Sequence, residues 1–426
     1  MKGMHSKSPL VAALLIALSG SVAAQERVQG VECGVEREVS AGALTERTYN
    51  RLSDIYEQIG EENYAEAYPA LQELLERNER EEYAQAVILQ AMGHVRMQQE
   101  QPADAIRHFE ESLRLNAMPN AQHFEMMLMV AHLYYGEERY QDALDQLDLW
   151  FCVVPDDQTN LVQVWVMKAS IHAQIEEFRE ALAAVDRAIA LSDDPKEQWY
   201  QLKLGMHLEL GEYRPAIDVL KILVQMSPEK KNYWLQMASL HAELGEETES
   251  KSVLHLAYRQ GLLERQAEFK QLASLLQAQD SPRLAAEVME DGLERGIIED
   301  NRRHWEMVGG AWYEAREQEK ALVAYERAGA QSEDGKIDLQ RGHLLVNLER
   351  WEEARDAMDR ALELGGLSES QTGNAWLLLG MSYSNLGNYD AAMDAFENAS
   401  QYRRVSSAAR EWMNHIRQER NRSSRR

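Results

Sequence analysis

Histidines come closest to a chemical pattern in this 426-residue chain. His172, His207 and His241 recur at the same place in three successive units of an internal repeat, at a position where two other units carry Tyr134 and Tyr383. In a regular stack the three imidazoles would stand about 10 Å apart, whereas metal ligands sit about 2 Å from their ion, so they share no metal. Two readings stay open. The imidazoles respond to pH, or each packs between two helices as a smaller Tyr, which is the simpler account. His94 and His132 sit one place to the side in two earlier units and admit weak surface metal binding at most. No metal site is assigned. The chain has no His-Glu-x-x-His helix, no Gly-x-x-x-x-Gly-Lys loop, no Cys-x-x-Cys pair and no Gly-x-Ser-x-Gly elbow. No catalytic residue and no cofactor are assigned, and an enzyme is not expected.

The elements that carry these side chains are helical. In "WLLLGMSYSNLGNYDAAMDAFENAS", Trp376 to Ser400, Leu379 and Tyr383 share one helix face. Gly380 and Ala392 are small enough for two helices to cross closely. Gly387 ends the first helix in a left-handed conformation. Tyr389, Phe396 and Ala399 give the second helix its own apolar stripe. Such a hairpin cannot bury its face alone and needs neighbours. The pattern resembles the tetratricopeptide repeat at every signature position. Ten units are counted, starting near residues 48, 86, 124, 162, 197, 231, 266, 302, 335 and 373, close to the roughly 34-residue period of that repeat. Unit six carries Ser250 in place of the usual Ala, and unit seven, around Leu272, Ala273 and Ala285, is degenerate. Trp165, Trp234, Trp305 and Trp376 occupy one repeat position and read as core. Pro155 closes unit three.

The resemblance implies an all-α, right-handed superhelical solenoid of about ten helix hairpins, residues 48–402. A C-terminal cap helix and basic tail follow over 403–426. Within "VSSAAREWMNHI", Ala409, Trp412, Met413 and Ile416 fall on one side.

Residues 1–24 read as a signal peptide: Lys2 and Lys7, a short apolar core over Leu10–Leu18, and small residues before cleavage between Ala24 and Gln25. The apolar run is well short of the roughly 20 residues that span a bilayer, and no later segment is apolar enough. Residues 25–47 form an N-terminal extension. The expected location is the periplasm. In an oxidising compartment an even pair of cysteines, Cys33 and Cys152, suggests a disulfide pinning that extension to the array, with two unpaired thiols as the alternative. From Arg403 onward eight arginines face only Glu411 and Glu419, a net +6, while the rest of the chain carries −32 of the total −26. The tail either seeks an anionic partner or rests on its own acidic surface. The acidic body argues against nucleic acid as a partner.

Binding residues are sought at positions that line the concave groove of such a repeat. Units two and three offer His94, Met97, Leu128, His132 and Tyr135, with Val87, Gln90 and Glu125 beside them. Units eight to ten offer Glu306, Tyr313, His343 and Met381, with Leu339, Val346 and Leu377. Aromatic, Met and aliphatic groups facing solvent suit a protein ligand docking as a helix or extended segment. Alternatively the array covers them itself. The Lys/Asn set that clamps a C-terminal carboxylate is missing, since Glu306 and Gln201 stand where Lys would be wanted.

A narrower resemblance covers about Thr45 to Ile416. It rests on "LTERTYNRLSDIYEQIGEENYAEA", "LRLNAMPNAQHFEMM", "DPKEQWYQLKLGMHLELGEY", "KKNYWLQMASLHAELGE", "AYRQGLLER", "GLERGIIEDN" and "AAREWMNHI". These segments resemble exported tetratricopeptide proteins associated with TonB–ExbB–ExbD energy-transduction systems. The resemblance implies a periplasmic scaffold without enzymatic activity, contacting the periplasmic parts of TonB, ExbB or ExbD during iron-siderophore or haem uptake. The competing expectations are a scaffold for outer-membrane or other cell-envelope assembly, and a self-associating solenoid.

Overall fold

A computed structural model describes residues 31, 33, 35, 37, 39, 42–154 and 161–423, with side chains as far as 420. The signal cleavage at Ala24 and Gln25, Pro155, and the arginines beyond 420 lie outside the described residues. The described chain forms 21 α-helices and no strand, in two compact units, Met1–Met226 and Ser227–Arg426.

The first unit holds five hairpins. They pair α1 (Glu46–Gly60) with α2 (Tyr64–Arg77), α3 (Glu82–Gln98) with α4 (Pro102–Arg114), α5 (Asn120–Gly136) with α6 (Tyr140–Val153), α7 (Val162–Gln174) with α8 (Phe178–Leu191), and α9 (Glu197–Glu209) with α10 (Tyr213–Met226). The second unit holds five more and a final single helix. These are α11 (Lys231–Glu243) with α12 (Glu247–Arg259), α13 (Gln266–Ala278) with α14 (Pro282–Glu294), α15 (Arg302–Glu314) with α16 (Gln318–Ala330), α17 (Lys336–Asn347) with α18 (Trp351–Leu364), and α19 (Glu369–Asn385) with α20 (Tyr389–Ser400), then α21 (Ser406–Ser423). Within each unit the second helix of a hairpin packs on the first helix of the next.

Three helices begin a turn before the repeat phase predicts, α3 at Glu82, α5 at Asn120 and α19 at Glu369. At α19 the reason is local. Ser368 Oγ accepts from Gln371 N–H at 3.4 Å, and Gln371 Oε1 accepts from Ser368 N–H at 2.9 Å, a capping box that starts the helix early.

The turns inside the hairpins share one device. Each holds a residue with left-handed backbone: Glu62, Glu100, Glu138, Glu176, Gly211, Gly245, Asp280, Arg316, Glu349 and Gly387. Glycine ends the first helix in only three of the ten, so the Gly387 pattern is not general. A non-glycine residue is held there against a local cost of roughly 1–2 kcal/mol, which hairpin packing must offset.

That packing rests on the small residue of the first helix. A Cβ on Gly93 would lie 2.5 Å from the Phe109 ring, on Gly309 2.6 Å from Tyr325, and on Gly380 2.6 Å from Phe396. Ala131, Ala169 and Ala238 fill the equivalent place and are buried. The degenerate seventh unit still folds as a hairpin, because Leu272, Ala273 and Ala285 are all buried. Ser250 is buried too, and its Oγ has no hydrogen-bond partner among the described residues. Trp234 and Trp305 are core as predicted, whereas Trp165 and Trp376 are half-buried.

In the first unit the N-terminal extension lies on the array. Cys33 and Cys152 are bonded, with Cα atoms 5.2 Å apart across 119 residues of sequence. Val31 enters the same core as Phe109, Trp150 and Ile171. Arg37 donates from Nε to Asn116 Oδ1 at 2.8 Å, from Nη1 to Asn120 Oδ1 at 2.8 Å, and from Nη2 to the Met118 carbonyl at 3.2 Å. The strap is thus held by a covalent bond, an apolar anchor and a buried guanidinium.

Candidate functional site

The candidate groove residues fare differently in the two units. In the first, α3 carries His94 and Met97, and α5 carries Leu128, His132 and Tyr135. Met97, Leu128 and Tyr135 are half-buried and pack on the unit's own core. Tyr135 also meets Tyr140, with ring centroids 6.0 Å apart. His94 turns edge-on to Phe109 at 5.3 Å, and burial lowers its pKa from the ordinary imidazole value. His132 is exposed. This surface is mostly covered by the unit's own side chains.

In the second unit a cleft of about 400 Å³ opens between α15 and α17. Gly310, Tyr313 and Glu314 of α15, Tyr325 of α16, and Gln340, His343, Leu344 and Asn347 of α17 form its wall. Two predicted residues, Tyr313 and His343, come together here. Gly310 adds no bulk to the cleft: a Cβ there would meet nothing within 4 Å, while its neighbour Gly309 sits against Tyr325. Tyr313 is 50% exposed, and Met307, one turn before Gly310, is 38% exposed. Burial, reinforced by Glu306, Tyr313 and Glu314, pushes Tyr325 up to about 12. Burial lowers His343, so it is neutral near pH 7. Gln277 donates to Glu314 at 3.0 Å and fixes one rim of the cleft. The wall combines an aromatic face, a neutral imidazole and two side-chain amides, Gln340 and Asn347, that can pair with a peptide backbone.

The remaining candidates lie elsewhere. Glu306 is not in the wall and stands 3.9 Å from Arg302. Met381 packs on the C-terminal core with Phe396 and Trp412, and Leu377 does the same. Leu339 and Val346 are buried, which corrects their placement on the groove. Both lie one turn along α17 from His343, on nearly the same face, but neighbouring side chains cover them while His343 stays exposed. Gly310, Gln340 and Asn347 were missed. A glycine at the position where neighbouring units carry His94, His132, His343 and Met381 was the available signal.

The recurrent histidines are structural, with a partner the repeat pattern did not suggest. His172 Nδ1 lies 2.8 Å from Glu177, His207 Nδ1 2.9 Å from Glu212, and His241 Nδ1 2.8 Å from Glu246. The same glutamates donate their backbone N–H to the histidine carbonyls at 2.9, 2.8 and 2.8 Å. Each pair therefore closes a hairpin turn twice over. A Glu five residues after each His is the sequence signal for it. Among the described residues no group of three or more His, Cys, Asp or Glu side chains is placed to hold a metal ion, and no helix is long and apolar enough to cross a membrane.

Comparison with known proteins fits this geometry. The sequence model of the tetratricopeptide repeat family matches residues 90–150, 270–335 and 339–409. That of anaphase-promoting complex subunit 5 matches residues 127–208. Neither description names a catalytic activity. No curated protein matches the chain. Among solved structures, a tetratricopeptide repeat protein from Parabacteroides merdae is 10% identical, with 68% of this chain and 94% of that chain covered and a TM-score of 0.36. YrrB, described as a repeat protein with an unusual peptide-binding site, is 17% identical over 45% of this chain and 96% of its own, with a TM-score of 0.33. The repeat domain of P58(IPK) is 14% identical over 89% and 100%, with a TM-score of 0.25. The family model matches in both units: the chain carries tetratricopeptide repeats over residues 90–150, 270–335 and 339–409, within an array of helix hairpins.

Proposed function

We propose that this chain is an exported scaffold that docks a protein segment in the α15–α17 cleft. The observation that carries the reading is the opening at Gly310, which leaves Tyr313 and His343 facing unfilled space between two hairpins. A protein segment suits it better than a small ligand, because the cleft is open along the helices and its amides are spaced on one helix, at Gln340 and Asn347. The bond between Cys33 and Cys152 suits an oxidising compartment, and with the signal-like N-terminus it supports the periplasm. The partner side of the proposal rests on the resemblance of the quoted segments to TonB-associated repeat proteins. On that basis the scaffold contacts the periplasmic parts of TonB, ExbB or ExbD as an accessory to iron-siderophore or haem uptake.

The test is photo-crosslinking in living cells from Tyr313 in the cleft and from Tyr135 in the covered surface. The expected result is a TonB, ExbB or ExbD adduct from Tyr313, weak or no adduct from Tyr135, and loss of the first when Gly310→Leu fills the cleft. Adducts made only of outer-membrane or peptidoglycan machinery would replace the transport reading with an envelope-assembly scaffold. Adducts indifferent to Gly310→Leu would remove the cleft from the proposal.

A further inference from the structure

The α15–α17 cleft carries charge of one sign. Its wall holds the carboxylate of Glu314 beside Tyr313, Tyr325, His343 and two amides, and no lysine or arginine. Glu314 is exposed and accepts from Gln277 Nε2 at 3.0 Å. Gln277 is neutral, so that bond orients the carboxylate without cancelling its charge. Among the described residues Glu314 forms no ion pair. Glu314 and Asn347 are the last residues of α15 and α17, so both helices bring their negative dipole ends to this wall. The Tyr325 hydroxyl reports the same field. Burial raises its pKa most, Glu306, Tyr313 and Glu314 all add to the rise, and no cation opposes them. Nearby cations are engaged elsewhere: Lys336 with Asp334 at 2.8 Å, Arg350 with Glu353 at 2.6 Å, and Arg302 with Glu306 at 3.9 Å. Lys270, Arg303 and Arg316 form no ion pair among the described residues, and none of them belongs to the wall.

We propose that this cleft takes a lysine or arginine side chain, presented by an extended basic segment of a protein partner. The inference rests on the reading that a protein segment docks here, and adds what that segment carries. The exposed Tyr313 ring attracts a cation through its quadrupole, and Glu314 supplies the opposite charge in the same wall. The hairpin already uses such pairs on its own core: Lys320 Nζ lies 4.0 Å from the Trp312 ring centroid and the Arg327 guanidinium 4.4 Å from that of Trp305. An acidic side chain would meet Glu314 with no cation to receive it. A purely aliphatic one would strip water from Glu314 and the amides and leave them without partners. The methylenes of a lysine or arginine cover Leu344 and Tyr325 while the head group stays at the carboxylate. His343, neutral near pH 7 through burial, adds no competing charge. An extended segment is selected because Gln340 and Asn347 need free backbone groups to pair with, which a helix has already used.

The probe is a random dodecapeptide library, panned on the full mature chain and depleted on Gly310→Leu, which fills the cleft. The peptides that depend on the open cleft should be enriched in lysine or arginine. In a synthetic copy, norleucine in place of that residue removes the charge and keeps the stem, and should weaken binding at least tenfold. Glu314→Gln keeps an acceptor for Gln277 and should erase most of that difference. Tyr313→Leu should weaken the cationic peptide several-fold, and Tyr313→Phe, which keeps the ring face, should not. Cleft-dependent peptides without lysine or arginine overturn the inference and leave the docking reading standing. So does binding indifferent to norleucine or to Glu314→Gln. Absence of any cleft-dependent peptide overturns both. Self-association of the chain that is lost in Glu314→Gln would give the cleft to the arginine tail of a second copy and overturn the partner.

Discussion

The surface of α3 and α5 in the first unit and that of α15 and α17 in the second are built from the same repeat positions, yet one is closed and the other open. On the closed side Met97, Leu128 and Tyr135 settle on their own core, and the strap of Cys33 and Arg37 reinforces the hairpins beneath. On the open side one position is Gly310, and the space it leaves is not taken by a neighbour. The repeat therefore sets where a groove can be, while the size of one side chain sets whether it exists.

The largest test of the contrast is the strap. Cys152→Ser should destabilise the first unit by about 3–5 kcal/mol, the range for a crosslink that closes a loop of this length. Unfolding followed by hydrogen exchange should show the loss in residues of the first unit and leave the second unit's protection unchanged. Equal loss in both would mean that the strap does not distinguish them.

Two adjacent glycines sharpen the comparison with opposite signs. Gly309→Ala drives a methyl into Tyr325 and should cost about 1–3 kcal/mol by overpacking. Gly310→Ala meets open space in a helix interior and should stabilise by about 1 kcal/mol. Denaturant midpoints of the two variants read this directly, and a destabilising Gly310→Ala would show that the cleft is filled after all.

A further test is acid sensitivity. His123 in α5 is buried, and desolvation, helped by Arg37, holds its pKa down at about 3. The unfolded chain protonates this imidazole near its ordinary value, and the folded chain does not. Its contribution is therefore full above about pH 6.5 and falls as the pH drops below that, by about 1.4 kcal/mol per pH unit. His123→Gln should flatten the stability profile of the first unit between about pH 6.5 and 5, whatever it does to stability at neutral pH. An unchanged slope would place a different group in control.

Much of the fold was legible because helix periodicity and crossing distance are local. Leu379 with Tyr383 and Gly380 with Phe396 are fixed by spacing along one or two helices, so hairpin number and order follow from residue type. The phase slipped at α3, α5 and α19, at the last of which a capping box lengthens the first helix, and glycine proved unnecessary at seven turns that packing holds left-handed. Tyr313 and His343 were legible as exposed positions; Leu339 and Val346 were not, because they share the stripe of His343 on α17 and only the neighbouring helices decide which of the three is covered.

The sequence by itself determined that the chain is a run of helix hairpins with a basic end on an acidic body. Only the tertiary structure decided which of those surfaces are occupied. The Arg37 acceptors lie about eighty residues along the chain from it, and the α15–α17 cleft joins side chains of two hairpins. Such features depend on the volumes of residues distant in sequence, which no local pattern encodes.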